Sequence, residues 1–82
     1  MSYTVTILRR AQKELAGLPA ESYEEVRDGI RSLARDPIPP ASGKLADRDG
    51  WRLPVGKFRV VFDVDSRQGA VTVLHVGVRA DA

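Results

Sequence analysis

The C-terminal part of the sequence contains three segments in which apolar and polar side chains alternate, and this pattern constrains the fold more than any other feature. The segments are Trp51–Val55, Phe58–Asp65 and Ala70–Arg79. A period of two residues is typical of strands that bury one face. They are joined by Gly56–Lys57 and by Asp65–Gly69, and turns of this length connect antiparallel neighbours. The sequence therefore predicts a three-stranded antiparallel meander.

One strand and a first helix are predicted at the N-terminus. Tyr3–Leu8 alternates aromatic and aliphatic residues with threonine, which favours a strand. From Arg9 the apolar residues recur at helical spacing as far as Leu18, and Gly17 and Pro19 are typical of a helix end. The first helix is therefore expected to be short.

A second helix is predicted to begin at Glu21 or Ser22. It is expected to end at Asp36-Pro37, because the residue before a proline is driven out of the helical region. Gly29 weakens this helix and allows a close approach to a neighbouring element. The apolar side chains that form a single stripe along it are Tyr23, Val26, Ile30 and Leu33.

The long segment 36–50 is rich in proline and reads as a loop between the helices and the meander. The order is then strand, helix, helix, loop and meander. We predict one α+β domain over residues 1–82, in which the helical hairpin packs on one face of the sheet. Pro54 lies inside the first meander strand, which places that strand at an edge or makes it very short.

Composition excludes several classes of protein. The 82 residues are 43% hydrophobic and 29% charged, as in ordinary soluble domains. No cysteine and a single histidine exclude disulfides, thiolate nucleophiles and cysteine-ligated zinc. No apolar run is long enough to span a bilayer, and the N-terminus lacks the pattern of a secretory signal. We expect a cytoplasmic protein with no membrane partner, no metal and no cofactor.

The basic residues are distributed unevenly. The net charge of +2 arises entirely in residues 44–82, which carry seven basic and five acidic residues, and ten of the thirteen basic residues are arginine. Arginine binds phosphate in a bidentate manner and stays charged at any working pH. The excess therefore indicates an anionic partner.

Alternation predicts which side chains of the meander face away from the helices. On the second strand, Phe58 faces the helices and Arg59 faces away. The residues of the last strand that are predicted to face the helices are Ala70, Thr72, Leu74, Val76 and Val78. In this register His75 and Arg79 lie beside Arg59 and Arg52, so that three arginines from three neighbouring strands converge with one histidine.

Three interpretations of this face remain open at this point. It is an ordinary solvated face, with Asp63 paired to Arg52 or Arg59 across the strands. It is an anion site, because charges flanked by apolar residues are costly without a partner. Asp63, Asp65 and His75 could also be considered metal ligands, but three ligands beside an arginine make a poor cation site.

The whole layout resembles the RelE/ParE superfamily of toxins from type II toxin–antitoxin systems. The resemblance is most specific in the meander, with an aromatic–Arg–x–x–x–Gly–x–aromatic–Arg–x–x–aromatic block. The segments that carry it are A-x-K-x-L-x-x-L-P at Ala11–Pro19, the aromatic block at Trp51–Phe62 and V-x-V-L-x-V-G-x-R at Val71–Arg79.

The resemblance to RelE implies an endoribonuclease that cuts mRNA in the ribosomal A site and is neutralised by a cognate antitoxin. Carried over by motif, Arg52, Arg59 and Arg79 are the expected catalytic residues. His75 is the one candidate that titrates near neutral pH. Attack by a 2′-OH would give a 2′,3′-cyclic phosphate and a 5′-OH without a metal. The further residues expected to bind RNA are Lys44, Arg48 and Lys57.

The sequence also departs from RelE-like relatives. Pro54 and Val78 stand where many relatives have basic or polar residues, and the sequence given ends at Ala82, before a tyrosine that many relatives carry. Two alternatives therefore stay open. One is a ParE-like toxin that poisons DNA gyrase without cutting nucleic acid, and the other is a degraded toxin that serves as an antitoxin-binding module.

Overall fold

The computed structural model describes residues 2–79, which form two helices and a five-stranded sheet. In chain order the elements are β1 (Thr4–Ile7), α1 (Arg9–Ala16), α2 (Ala20–Ser32), β2 (Gly43–Lys44), β3 (Trp51–Val55), β4 (Phe58–Asp65) and β5 (Ala70–Val78). The α+β class and the meander are confirmed. Ala82, where the sequence ends before the tyrosine of many relatives, lies outside the described residues.

The sheet has the strand order β1-β5-β4-β3-β2, with β1 parallel to β5 and the other pairs antiparallel. The meander occupies the centre, and the N-terminal strand joins it beside β5. β2 was not predicted, because two residues carry no detectable alternation. It pairs only with Trp51 and Arg52, so β3 has an open edge from Leu53 onward, and Pro54 lies in this open part.

The second helix differs from the prediction at both ends. It begins at Ala20 and ends at Ser32, before the expected stop at Asp36-Pro37. The chain continues beyond Ser32 in tight turns, in which the N–H groups of residues 33, 34 and 35 donate to carbonyls three residues earlier. The restriction imposed by Pro37 therefore acts over a full turn, since the last helical turn tightens before the chain leaves the axis.

The hydrophobic core lies between the helices and one face of the sheet. Gly29 permits the close approach that the sequence predicted, since a Cβ there would lie 3.2 Å from Val55 Cγ2 of the sheet. Phe62 is fully buried at the centre. The other buried members of this core are Ala11, Leu15, Val26, Ile30, Leu33, Leu53, Val60, Val71, Val73 and Val76.

A β-bulge in β5 changes the predicted facing of half of that strand. Val61 pairs with His75, but Phe62 pairs with Val73, so Leu74 is left without a partner on β4. Because two β5 residues occupy the space of one step, the side-chain alternation reverses at this point.

The predicted helix-facing set of β5 is therefore wrong before the bulge; after it Val76 is correct, whereas Val78 is 66% exposed. Val71 and Val73 are fully buried in the core, where Ala70, Thr72 and Leu74 had been expected. Val76 faces the helices as predicted and is 3% exposed. His75 keeps its predicted place beside β4, because it lies after the bulge.

Within residues 2–79, neither helix has the length and apolar character that a bilayer-spanning helix requires.

Candidate functional site

Two rows of paired residues cross the back face, the face of the sheet turned away from the core. Arg52, Val61 and His75 form the first row, since Val61 pairs with both of the others. The second row consists of Pro54, Arg59 and Gly77. The register thus brings Arg52, Arg59 and His75 together from three neighbouring strands, whereas Arg79, which alternation predicted to converge with them, does not line the same depression.

The two rows and the loop before β3 enclose an open depression of about 340 Å³. Val61 is only 1% exposed although it lies outside the helix-facing core, and it lines this depression together with residues of the loop. The side chains that line the depression are Leu45, Ala46, Asp47, Arg48, Arg52, Arg59, Val61 and His75.

Arg59 carries the buried side-chain nitrogen that lacks a hydrogen-bond partner among residues 2–79. Its Nε is buried and has no hydrogen-bond partner, and among residues 2–79 the ion pairs include neither Arg59 nor Arg52. Asp63 instead accepts the N–H of Val64 and stands opposite Thr72. The cross-strand pair that an ordinary solvated face would contain is therefore not formed.

Arg52 is held in place by backbone contacts. Its Nη1 donates to the carbonyl of Lys44 at 2.9 Å, and its Cζ would lie 3.2 Å from a Cβ at Gly43. β2 therefore positions this guanidinium in two ways: the Lys44 carbonyl accepts its hydrogen bond, and Gly43, which has no side chain, leaves space for it. The contact is directional and leaves most of the guanidinium donors available to an anion.

Glu14 of α1 also belongs to this site, although no pattern in the sequence predicts it. Its carboxylate oxygens lie 3.0 and 2.9 Å from His75 Nδ1, and one of them accepts the N–H of Val76 at 2.9 Å. β1 pairs only as far as Val73, so the N–H of Val76 has no strand partner on that side. Glu14 therefore caps the open edge of β5 and holds the histidine ring at the same time.

The environment of Glu14 favours its ionised form. Burial raises the pKa of this carboxyl, but the hydrogen bond from Val76, the facing His75 ring and the hydrogen bond from Arg10 all lower it. The result is a pKa for Glu14 below its ordinary value of 4.5.

This lowered pKa predicts how stability depends on pH. The contribution of Glu14 to the free energy of unfolding should be fully present above the ordinary value and should be lost as pH falls through the folded-state pKa. The destabilisation caused by Glu14→Gln, measured by urea unfolding, should therefore be present at neutral pH and should shrink as pH falls into the acid range. Glu24→Gln, on the exposed side of α2, is the control, and the same acid dependence in both variants would contradict this assignment.

Gly77 provides the space for the His75 ring. A Cβ at Gly77 would lie 2.7 Å from His75 Nε2, so the ring extends along β5 over this glycine. Gly77 pairs with Arg59. Consequently, the imidazole spans from Glu14 at its Nδ1 to the row of Arg59 at its Nε2.

The loop that covers the back face is closed at Gly50. The N–H of Leu45 donates to the Gly50 carbonyl at 3.0 Å, and Gly50 has a φ of +126°, a conformation that L side chains rarely adopt. This closure holds Asp47 and Arg48 over the depression.

Gly50→Ala is expected to destabilise the fold more than Gly69→Ala. Both glycines have positive φ, and such strain costs about 1–3 kcal/mol. A Cβ at Gly50 would also lie 3.0 Å from Leu45 and 3.2 Å from the Phe62 carbonyl, whereas Gly69 has nothing within 4 Å. Urea unfolding of the two variants measures the difference, and equal losses would mean that the loop is not packed in this way.

The other predicted site residues lie around the depression and do not line it. Arg79 is one row beyond Gly77, with its N–H on the Lys57 carbonyl and its Nη1 3.4 Å from the Gly56 carbonyl. Lys57 belongs to the same exposed turn. Lys44 is exposed, and its Nζ lies 5.9 Å from the centre of the Trp51 ring.

A metal centre has no support in residues 2–79, where no group of three or more acidic, histidine or cysteine side chains could hold one ion. Asp63 and Asp65 lie in the part of β4 before the hairpin, and Asp65 accepts the N–H groups of Arg67 and Gln68. The arrangement that remains is a cationic depression with one histidine, whose chemistry suits an anion with exposed oxygens.

Solved structures with a similar fold include toxins from toxin–antitoxin complexes. The RelE–RelB complex from Pyrococcus horikoshii has a TM-score of 0.87 and 26% identity, and the match covers 100% of both chains. The RelBE2 toxin–antitoxin complex from Mycobacterium tuberculosis, with a TM-score of 0.84 over 96% of this chain and 100% of that one, has 23% identity and therefore supports the fold alone.

Sequence comparison identifies the family. The model of the family described as ParE toxin of type II toxin–antitoxin system, parDE, matches residues 5–82. A curated relative, the toxin RelE1 from Methanocaldococcus jannaschii, is 31% identical over 68 residues, covering 78% of this chain and 76% of the relative. The chain belongs to the RelE/ParE superfamily of toxins from type II toxin–antitoxin systems.

Proposed function

We propose that this toxin is a ribosome-dependent endoribonuclease that cuts mRNA by metal-free attack of a 2′-OH on the adjacent phosphate. The observation that carries the proposal is Arg59, whose buried Nε has no hydrogen-bond partner and lies in a depression shared with Arg52 and His75. A buried donor of this kind is costly unless a ligand satisfies it.

The reaction places specific demands on these side chains. The 2′-oxygen forms a bond to phosphorus, the bond from phosphorus to the 5′-oxygen breaks, and negative charge develops on the phosphorane. Arg59 and Arg52 stabilise that charge, and they are held before substrate arrives. His75 accepts the 2′-OH proton, and the 5′-oxygen leaves with a proton from solvent or from the imidazolium. The products are a 2′,3′-cyclic phosphate and a 5′-OH.

The remaining cations of this region would guide RNA to the depression. Arg48 lines it, Lys57 and Arg79 lie together at the turn between β3 and β4, and Lys44 lies at the other end of β3, beside Trp51. The depression is shallow and open, so a single-stranded RNA needs external positioning. The ribosomal A site supplies that positioning for a codon, which lowers the entropic barrier of the reaction. A toxin that acts on translating ribosomes works in the cytoplasm.

A cognate antitoxin is the proposed protein partner. The relative from Pyrococcus horikoshii, which is 26% identical to this chain, was crystallised as a complex with RelB. In this chain the cationic depression and the open edge of β3 offer an anionic or extended segment both charge and backbone partners.

The test is an in vitro translation reaction in which a defined mRNA is followed by primer extension. The purified toxin should produce cuts within codons when ribosomes are present and no cuts on the same naked mRNA. Each cut fragment should end in a cyclic phosphate, which resists ligation until it is opened. Intact transcripts in the presence of ribosomes would overturn the proposal.

A gyrase poison is the second candidate, because the family model that matches residues 5–82 is the ParE toxin. In that case growth arrest would be accompanied by gyrase-linked DNA breaks while transcripts stay intact. Growth and transcripts that are both unaffected, with an antitoxin that still binds, would instead identify a degraded toxin. The two assays together separate all three functions.

A further inference from the structure

We propose that Glu14 is the positioning residue of His75, fixing the ring so that Nε2 is the base that removes the 2′-OH proton. This inference deepens the proposed nuclease function and rests on it. No motif in the sequence points to Glu14, which lies in α1, 61 positions before His75 along the chain.

The tautomer of His75 follows from the chemistry of its partner. An ionised carboxylate can only accept hydrogen bonds, and Glu14 already accepts from the N–H of Val76 and from Arg10 Nε. Because Nδ1 faces the same carboxylate at 2.9 Å, Nδ1 carries the proton of the neutral ring. Nε2 then keeps its lone pair, which is the state that a general base requires.

The direction of the ring gives this lone pair a use. Nε2 lies over Gly77, and Gly77 is the residue paired with Arg59. The basic nitrogen is therefore carried from the edge of the sheet toward the guanidinium proposed to hold the phosphate. If Glu14 bound His75 only for stability, nothing would require Nε2 to lie over Gly77, in the row that contains Arg59.

The proton balance of the step is complete with these groups. The 2′-OH proton moves to Nε2 as the new bond from the 2′-oxygen to phosphorus forms, the bond from phosphorus to the 5′-oxygen breaks, and the departing 5′-oxygen takes a proton from the imidazolium or from solvent. Glu14 gains no proton, because its role is to stabilise the imidazolium that forms beside it. This division of roles is the general logic of a carboxylate that orients a catalytic histidine.

The closing experiment measures ribosome-dependent cleavage by wild type, Glu14→Gln, His75→Asn and the double variant. Cleavage at neutral pH is expected to fall about 10²-fold in each single variant, the lower range for a general base. The double variant should be no slower than His75→Asn alone, since Glu14 acts through His75. Glu24→Gln, which removes one exposed acid from α2, should cleave at the wild-type rate.

Two readouts separate positioning from a merely structural role. The acid side of the pH–rate profile should move to lower pH in Glu14→Gln, because the charge that favours the imidazolium is gone, whereas simple destabilisation would leave its position unchanged. His75 is the only histidine of the chain, so its ring nitrogens give one set of ¹⁵N signals that report the tautomer directly. The charged groups around His75 that also bear on the pH–rate profile are Glu14, Arg52, Arg59, Asp47 and Arg48.

Gly77→Ala provides an independent variant that leaves both partners in place. The added Cβ must displace Nε2, so cleavage should fall while the contact between Glu14 and Nδ1 still holds the same tautomer. Wild-type cleavage by Glu14→Gln, or a double variant slower than His75→Asn, would overturn the role of Glu14 and leave the nuclease function standing. If the wild-type toxin left mRNA intact, both the role of Glu14 and the nuclease function would be overturned. This outcome is distinguishable from the others because it is seen with the wild type, before any variant is tested.

Discussion

Arg59→Ala is expected to reduce ribosome-dependent mRNA cleavage by about 10²–10³-fold, the loss typical when one preorganised donor to a developing charge is removed. The wild-type guanidinium lies in the second row of the back face, with a buried and unpartnered Nε. This Nε donor is thus already desolvated before the phosphate arrives. Primer extension on a defined mRNA measures the rate, and growth after induced expression gives the corresponding phenotype in cells.

The same substitution is expected to leave the fold as stable as the wild type or more stable. Arg59 has no ion pair among residues 2–79, and burial of its Nε without a partner opposes folding. Functional sites commonly retain such groups at the expense of stability. Arg67→Ala, in the exposed hairpin before β5, is the matched control and should change neither activity nor stability. Unfolding of Arg59→Ala under native conditions would show that Arg59 supports the sheet and does not serve the site.

The meander could be predicted because its determinants are local. Gly56 and Gly69 both have positive φ, and they fix the two turns that set the register of the strands on either side. Once β3 and β4 are in register, the position of Arg52 relative to Arg59 follows from alternation alone. This is why two arginines of the site were placed correctly without any structure.

Glu14 could not be placed from the sequence by the same reasoning. Its partners are 61 and 62 positions away, and the contact depends on how α1 lies against the open edge of β5. Alternation describes the two faces of a sheet but carries no information about its edges. The burial of Val61 on the back face could not be predicted for a related reason, since the loop residues that line the same depression follow no period.

The bulge in β5 is visible in the sequence as a change in the positions at which apolar residues alternate. The apolar residues of the strand are odd-numbered at Val71 and Val73 and even-numbered from Leu74 onward. A single strand cannot keep both sets on one face unless one extra residue is inserted between them. Leu74 is that residue, since it has no partner on β4.

This interpretation predicts that the chain tolerates deletion of Leu74 and does not tolerate deletion of Val61. Without Leu74, His75 directly follows Val73, and Val73 and Val76 fall on one face by ordinary alternation. Every pair with β4 is then retained. Without Val61, Val60 and Phe62 become neighbours and must point to opposite faces, although both are fully buried in the wild type.

The expected difference between the two deletions is large. Removing a buried aromatic side chain from its core site costs about 3–5 kcal/mol. The stability of a folded protein is only about 0.05–0.15 kcal/mol for each residue, so this cost is a large part of the total for an 82-residue chain. The protein without Val61 should therefore be largely unfolded. The protein without Leu74 should retain a cooperative urea transition, with a midpoint lowered only by the loss of one half-buried leucine. Circular dichroism and urea titration measure both. Leu74→Ala is the control for the lost side chain, and a deletion of Leu74 that unfolds while Leu74→Ala folds would mean that the bulge itself holds the sheet together.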